Sequence, residues 1–136
     1  MRARTLIVDN PVREINKDLL QILLVTSRDT GRWVIPKGWP SKRLDDAVAA
    51  CREARQEAGV IGWIASKPIG SYQYCKKEKD GSHLIEVAVY LLFVEELKKR
   101  WPEKVERQRA WFDVRFAVSK VAEPQLKAII ANLSAA

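Results

Sequence analysis

Apolar and polar positions change period several times along the 136 residues, and each change marks an element. Residues 5–8 form a short β-prone run, ended by the turn-formers Asp9, Asn10 and Pro11. Residues 14–18 are polar and predict a hairpin-type turn. Residues 19–26, with LLQILLV inside them, are apolar on both faces and too short for a helix, so they predict a buried strand. A polar loop at 27–32 leads to a short strand at 33–35 closed by Pro36. A second loop, 37–43, then delivers a helix that Asp45 or Ser41 can cap and that Gly59 ends.

Set at about 100° per residue, that helix has two faces. Glu53 and Glu57 project within roughly 40° of each other, with Asp46 between them and Gln56 at one flank. Ala47, Val48, Cys51, Ala54 and Ala58 gather opposite and predict the packed face. Carboxylates one turn apart repel by about a few tenths of a kcal/mol, so a positive group is expected between them. A hard divalent cation such as Mg²⁺ suits that place, because it takes oxygen ligands and bridges to phosphates.

Beyond the helix, residues 60–74 read as extended, broken near Pro68 and Gly70. Residues 76–82 predict a hairpin turn centred on Asp80 and Gly81, and 84–94 the longest strand. A charged excursion at 95–105 holds Trp101 and Pro102; a last strand covers 109–114, a helical turn 116–121 and a terminal helix 123–133. Leu126, Ile129, Ile130 and Leu133 form one apolar stripe on that helix. Strands between two helices on a mixed sheet make an α/β/α sandwich, and the length suits one domain over 1–136.

Composition narrows the function. Hydrophobic residues at 47% and charged ones at 30% exclude a disordered chain. A net charge of +7 favours a polyanionic partner, while no RNA-binding motif supports a nucleic acid. No run is apolar and long enough for a membrane span or signal peptide, so membrane partners are not expected. Cys51 and Cys75 read as reduced thiols of a cytoplasmic protein, and the single histidine, His83, argues against a Ser-His-Asp triad. Nothing in the sequence addresses oligomeric state.

The 23 residues from Gly38 to Val60 resemble the Nudix box, G, five residues, E, seven residues, R-E-U-x-E-E-x-G-U with U aliphatic. Gly38, Arg52, Glu53, Glu57, Gly59 and Val60 fall in register, and Ala54 is a small version of the aliphatic position. Leu44 and Gln56 stand where the box has glutamates. The segment LLQILLVTSRDTGRWVIPKGW, and Trp101 followed by ERQRAWF at 106–112, are similar to the diphosphoinositol-polyphosphate phosphohydrolase branch, with Ala110 in the place of its Glu. The resemblance implies the Nudix α/β/α sandwich, its mixed sheet between the box helix and the C-terminal helix. It also implies hydrolysis of a diphosphate or polyphosphate bond in a small nucleoside or inositol polyphosphate, with Mg²⁺ or Mn²⁺ as cofactor.

Carried over position by position, the resemblance makes Glu53 and Glu57 metal ligands, completed by a backbone carbonyl at Lys37 or Gly38. Arg52 would orient a box glutamate. Arg28, Arg32, Lys37, Lys42 and Arg109 are the expected phosphate-binding cations, with Lys76, Lys77, Lys79 and Arg107 also near the mouth. Gln56 replaces the glutamate regarded as the general base in that branch, and a glutamine accepts no proton at neutral pH. Three explanations stand open: a base elsewhere (Glu53, Glu86, Glu103 or Glu106), a non-catalytic polyanion-binding homologue, or a deliberate Glu→Gln substitution. Trp33, Trp39 and Trp111 either stack on a base or belong to the core.

Overall fold

The computed structural model describes residues 2–9, 20–38 and 43–133, with 2–9 and Glu78 described by backbone alone. The spine is β7 (Gly81–Leu97), whose two edges carry different partners. Along one edge β1 (Arg2–Asp9) runs parallel to it, from Arg2 opposite Glu86 to Asp9 opposite Phe93. Along the other lie β6 (Gly70–Glu78) and then β5 (Val60–Ile64), both antiparallel. Beyond β1 comes β2 (Gln21–Thr26), which also pairs with β3 (Trp33–Val34) and β8 (Arg109–Asp113). The short β4 (Lys37–Gly38) pairs with β1. The sheet is therefore mixed.

Period-two alternation divides its side chains between two cores. Leu23 and Val25 of β2, with Ala88, Tyr90, Leu92 and Val94 of β7, face α1 (Asp46–Ala58). Ile22 and Leu24, with Ile85, Val87 and Val89, face α2 (Val114–Lys120) and α3 (Pro124–Leu133). Both central strands are buried on both sides, which is why β2 reads as one unbroken apolar run. The α/β/α sandwich expected from the sequence is the observed architecture, and Leu126 and Ile130 anchor α3 on its face.

Several boundaries move. The 76–82 turn narrows to residues 79 and 80, because the ladder is made by backbone groups and the flanking lysines pair as well as apolar residues would. The excursion at 95–105 begins later, since β7 continues through Leu97. Residues 37 and 38 are not loop but pair with β1. Asp45 occupies the N-cap position of α1, yet its side chain makes no capping bond. Val48, expected on the packed face, is exposed, and Ala49 and Ala50 are buried instead. The arc through Ala50, Ala54 and Ala58 is what meets the sheet, and Val48 projects past its edge. The expected turn at 14–18, and Trp39, Ser41 and Lys42, lie outside the described residues.

Candidate active site

A helix leaves its last carbonyls without intrahelical partners, and here one distal loop and the first residue of β8 satisfy four successive carbonyls, from Gln56 to Gly59. Gln56 O accepts from Glu103 N (3.3 Å), Glu57 O from Trp101 Nε1 (3.0 Å), Ala58 O from Arg109 Nη1 (2.7 Å) and Gly59 O from Lys98 N (2.8 Å). Gly59 itself takes the left-handed conformation, φ 69° and ψ 28°, that only glycine enters cheaply. A Cβ there would come 2.7 Å from Arg109 Nη1 and 3.1 Å from the Trp101 ring, so the position needs glycine for packing as well. The loop over 98–108 is thus locked onto the end of the acidic helix.

That locking brings two side chains to the helix. Glu57 and Glu103 are the only buried charged residues among those described. One guanidinium serves both: Arg107 Nε donates to Glu103 Oε1 (2.7 Å), Nη2 lies 3.5 Å from Glu57 Oε1, and Nη1 donates to Thr26 O (3.0 Å). Gln56 Nε2 donates to the other Glu103 oxygen, Oε2, at 3.0 Å. Arg28 joins from outside, 3.8 Å from Glu103 and 3.2 Å from Glu106. Glu53 sits against the backbone of Gly38, where a methyl group would land on its side chain.

The two buried carboxyls titrate in opposite directions. Burial pushes Glu57 up to about 8; the nearby Glu53 and Glu103 charges and a hydrogen bond with Glu53 add to this, against the pull of Arg107. At Glu103 burial works upward too, but hydrogen bonds from Arg107 and Gln56, with the charges of Arg107 and Arg28, hold the carboxyl below its usual range. In metal-free protein the folded state therefore keeps a proton on Glu57 that the unfolded chain releases above its ordinary value of 4.5. Stability should fall as pH rises from about 4.5 to about 8, by on the order of a few kcal/mol, and level off above. Thermal denaturation in chelator across that range checks this: Glu57→Gln should flatten the slope, and an unchanged slope would refute the assignment.

The carboxylates open onto a cavity of about 310 Å³ lined by Lys37, Gly38, Glu53, Gln56, Glu57 and Glu103, among others. It adjoins a larger one, about 480 Å³, walled by Arg28, Arg32, Lys37, Lys76, Lys77 and Arg107 with Tyr74. Lys37 Nζ lies 3.8 Å from the Tyr74 ring centroid, a cation–π contact that holds its charge at the junction of the two.

Of the residues expected from sequence, Glu53, Glu57, Lys37, Gly38 and Gln56 come together, with Arg28 and Arg32 at the basic wall. Arg52 does not join them. It is exposed and, among the described residues, donates to neither glutamate; its helical position turns outward, and the guanidinium that reaches Glu57 is Arg107. Arg109 lines neither of these cavities: Nη1 donates to Ala58 O and Nη2 to Lys98 O, with Trp101 stacked 3.9 Å away, and the side chain borders a separate hollow beside Trp33 and Trp101. Trp33 packs edge-on against Phe112 at 5.0 Å and Trp111 packs beneath α1, so both are core. Among the described residues no three His, Cys, Asp or Glu side chains converge as a ready-made metal cluster. No helix among them is long and apolar enough to cross a membrane.

The NUDIX domain family pattern matches residues 3–133, and the chain belongs to the Nudix family. It is 33% identical over 133 residues to "Nudix hydrolase 16, mitochondrial" of Arabidopsis thaliana, covering 86% of this chain and 72% of that protein. It is 34% identical over 101 residues to human "Diphosphoinositol polyphosphate phosphohydrolase 3-beta", covering 72% of this chain and 58% of that protein. Against other plant relatives the chain spans about half their length. Among solved structures it is similar to a C. elegans Ap4A hydrolase binary complex (TM-score 0.68, 18% identity, 98% and 95% of the two chains). It is also similar to the E. coli dihydroneopterin triphosphate pyrophosphohydrolase (TM-score 0.73, 12% identity, 96% and 92%). At those identities the likeness shows the fold.

Proposed function

We propose that this chain is a divalent-metal-dependent hydrolase of phosphoric anhydrides, cleaving a diphosphate or polyphosphate bond in a small nucleoside or inositol polyphosphate. The observation that carries the reading is the convergence of Glu53 and Glu57 on one wall of a cavity whose continuation is cationic. A named relative fits it: the human protein that is 34% identical over 101 residues is a diphosphoinositol polyphosphate phosphohydrolase. The site belongs to a cytoplasmic protein in this reading, with Cys51 and Cys75 both free.

The residues suit Mg²⁺ or Mn²⁺. Two oxygen-bearing carboxylates stand beside a backbone that comes close only because Gly38 has no Cβ to displace Glu53. Magnesium is commonly held by one or two carboxylates with substrate phosphates supplying further oxygens, so a third acidic side chain is not required. Glu53, Glu57 and a carbonyl at Lys37 or Gly38 would hold the ion, which supplies charge neutralisation at the phosphoryl oxygens and a more acidic water. Arg28, Arg32 and Lys37 grip the phosphates, the guanidinium forks pairing bidentately and Lys37 acting as a point charge. The lysines of β6 extend the same wall for longer polyanions.

Phosphate and pyrophosphate release should be followed over a panel of dinucleoside polyphosphates, nucleoside diphosphate derivatives and diphosphoinositol polyphosphates, with Mg²⁺, with Mn²⁺ and with chelator. Turnover that chelator abolishes is the expected result. Gln56 favours a second reading, a polyanion-binding module that has lost turnover. Tight calorimetric binding of the same compounds with no turnover under any condition would establish it and overturn the first.

A further inference from the structure

The missing carboxylate at position 56 has a neighbour that restores it. Gln56 is an exposed residue, yet its amide is engaged: it donates to Glu103 Oε2 at 3.0 Å, so a carboxylate stands one hydrogen bond beyond the place where the box would carry its own. Glu103 is only 8% exposed, and it borders the same cavity as Glu53 and Glu57. A buried carboxylate costs several kcal/mol of desolvation unless well partnered, so its place here needs support. The chain provides it from three directions: Arg107 Nε on Oε1, Gln56 on Oε2, and the docked loop that fixes the backbone of Glu103 on Gln56 O. A carboxylate offers about four lone-pair sites, and these bonds leave at least one on each oxygen.

Resting on the hydrolase reading above, we infer that Glu103 is the water-activating carboxylate of this protein, with Gln56 as the positioning residue that aims it. In the step, a lone pair of water forms the new P–O bond while the anhydride P–O bond breaks, its electrons leaving on the departing phosphate oxygen. The proton of the attacking water goes to a Glu103 oxygen. No oxidant, reductant or further reactant is needed. The Glu→Gln change at position 56 is then a relocation of the carboxylate: a glutamine donor there holds the loop carboxylate, where a glutamate would repel it across 3.0 Å.

Glu103→Gln and Glu103→Ala should each lower kcat by about a hundredfold or more, the usual worth of a general base. Both should keep the calorimetric affinity of a methylene-bridged, non-hydrolysable substrate analogue within a few fold. Sodium formate should restore turnover to Glu103→Ala, which has space for it, and not to Glu57→Ala. Gln56→Glu alone should lower kcat, because a second carboxylate repels Glu103 across the contact, yet placed in the Glu103→Gln protein it should recover on the order of tenfold by moving the carboxylate back across the same contact. The inference is overturned if Gln56→Glu alone accelerates the wild type. It is also overturned if both Glu103 variants turn over within a few fold of it, or if they lose analogue binding together with activity and formate restores nothing, which would make Glu103 an anchor for Arg107. Those results leave a wild type that hydrolyses its substrate; a wild type with no metal-dependent turnover overturns the hydrolase reading and this one with it.

Discussion

Glu57→Gln should cut the turnover of a phosphoric anhydride by about a thousandfold or more, while leaving the metal-free protein as stable as the wild type or more stable at pH 8. The two halves have one cause. Glu57 is 5% exposed and burial already raises its carboxyl to about 8, so the folded, metal-free state prefers it neutral. A glutamine is the neutral isostere, and it removes the cost of an ionised group that is incompletely paired. The proposed hydrolysis needs the opposite. Only the carboxylate attracts a divalent ion strongly enough to sit beside Glu53, and charge stabilisation worth several kcal/mol corresponds to about three decades in rate. Steady-state rates with Mg²⁺ and thermal denaturation in chelator, measured on the same preparation, check both signs. Turnover within tenfold of wild type would remove Glu57 from the site, and a large drop in melting temperature would show that its charge is structural.

Arg107→Met should cost stability instead, about 3–5 kcal/mol, because it leaves two buried carboxyls without their common partner. The guanidinium is the hub of the site: it touches Glu103, Glu57 and Thr26 O, and its side chain is only 10% exposed. For a chain of this size such a loss lowers the melting temperature by roughly 10 °C. The deficit should be smaller near pH 5, where Glu57 is protonated in the folded state, and should grow toward pH 8. Adding Glu57→Gln should return part of it near pH 8, since the carboxyl that begins to ionise there is then replaced by a neutral amide. Mg²⁺ should protect the Arg107→Met protein by mass action, as any ligand of the native state does. A melting temperature within about 2 °C of wild type at pH 8 would mean that the buried carboxyls are paired by some other group.

Arg107 also shows why the sequence marks some site residues clearly and others only as members of a crowd. Glu53, Glu57 and Gly59 belong to one helix, whose period of about 3.6 residues converts spacing directly into geometry. The alternation along β2 and β7 converts just as directly into two buried faces. Nothing comparable links Gln56 to Glu103, 47 residues apart, or Arg107 to Thr26, 81 residues apart. In the sequence Glu103 is one of four candidate bases and Arg107 one of many cations near the mouth. Arg109 shows the same limit: a basic residue beside a tryptophan gives no sign in the sequence that it also ties Ala58 O and Lys98 O together.

By itself, then, the amino-acid order determined the layers of this protein, its mixed sheet, the acidic stripe of α1 and the glycine that ends it, because periodicity and backbone preference act over a few residues. Only the tertiary structure decided which carboxylates are buried, which guanidinium answers them, and that the loop after β7 is fastened to the end of the helix. Those outcomes depend on desolvation and on hydrogen bonds closed across the whole fold. Their strength is set by burial, and burial exists only once the chain has packed.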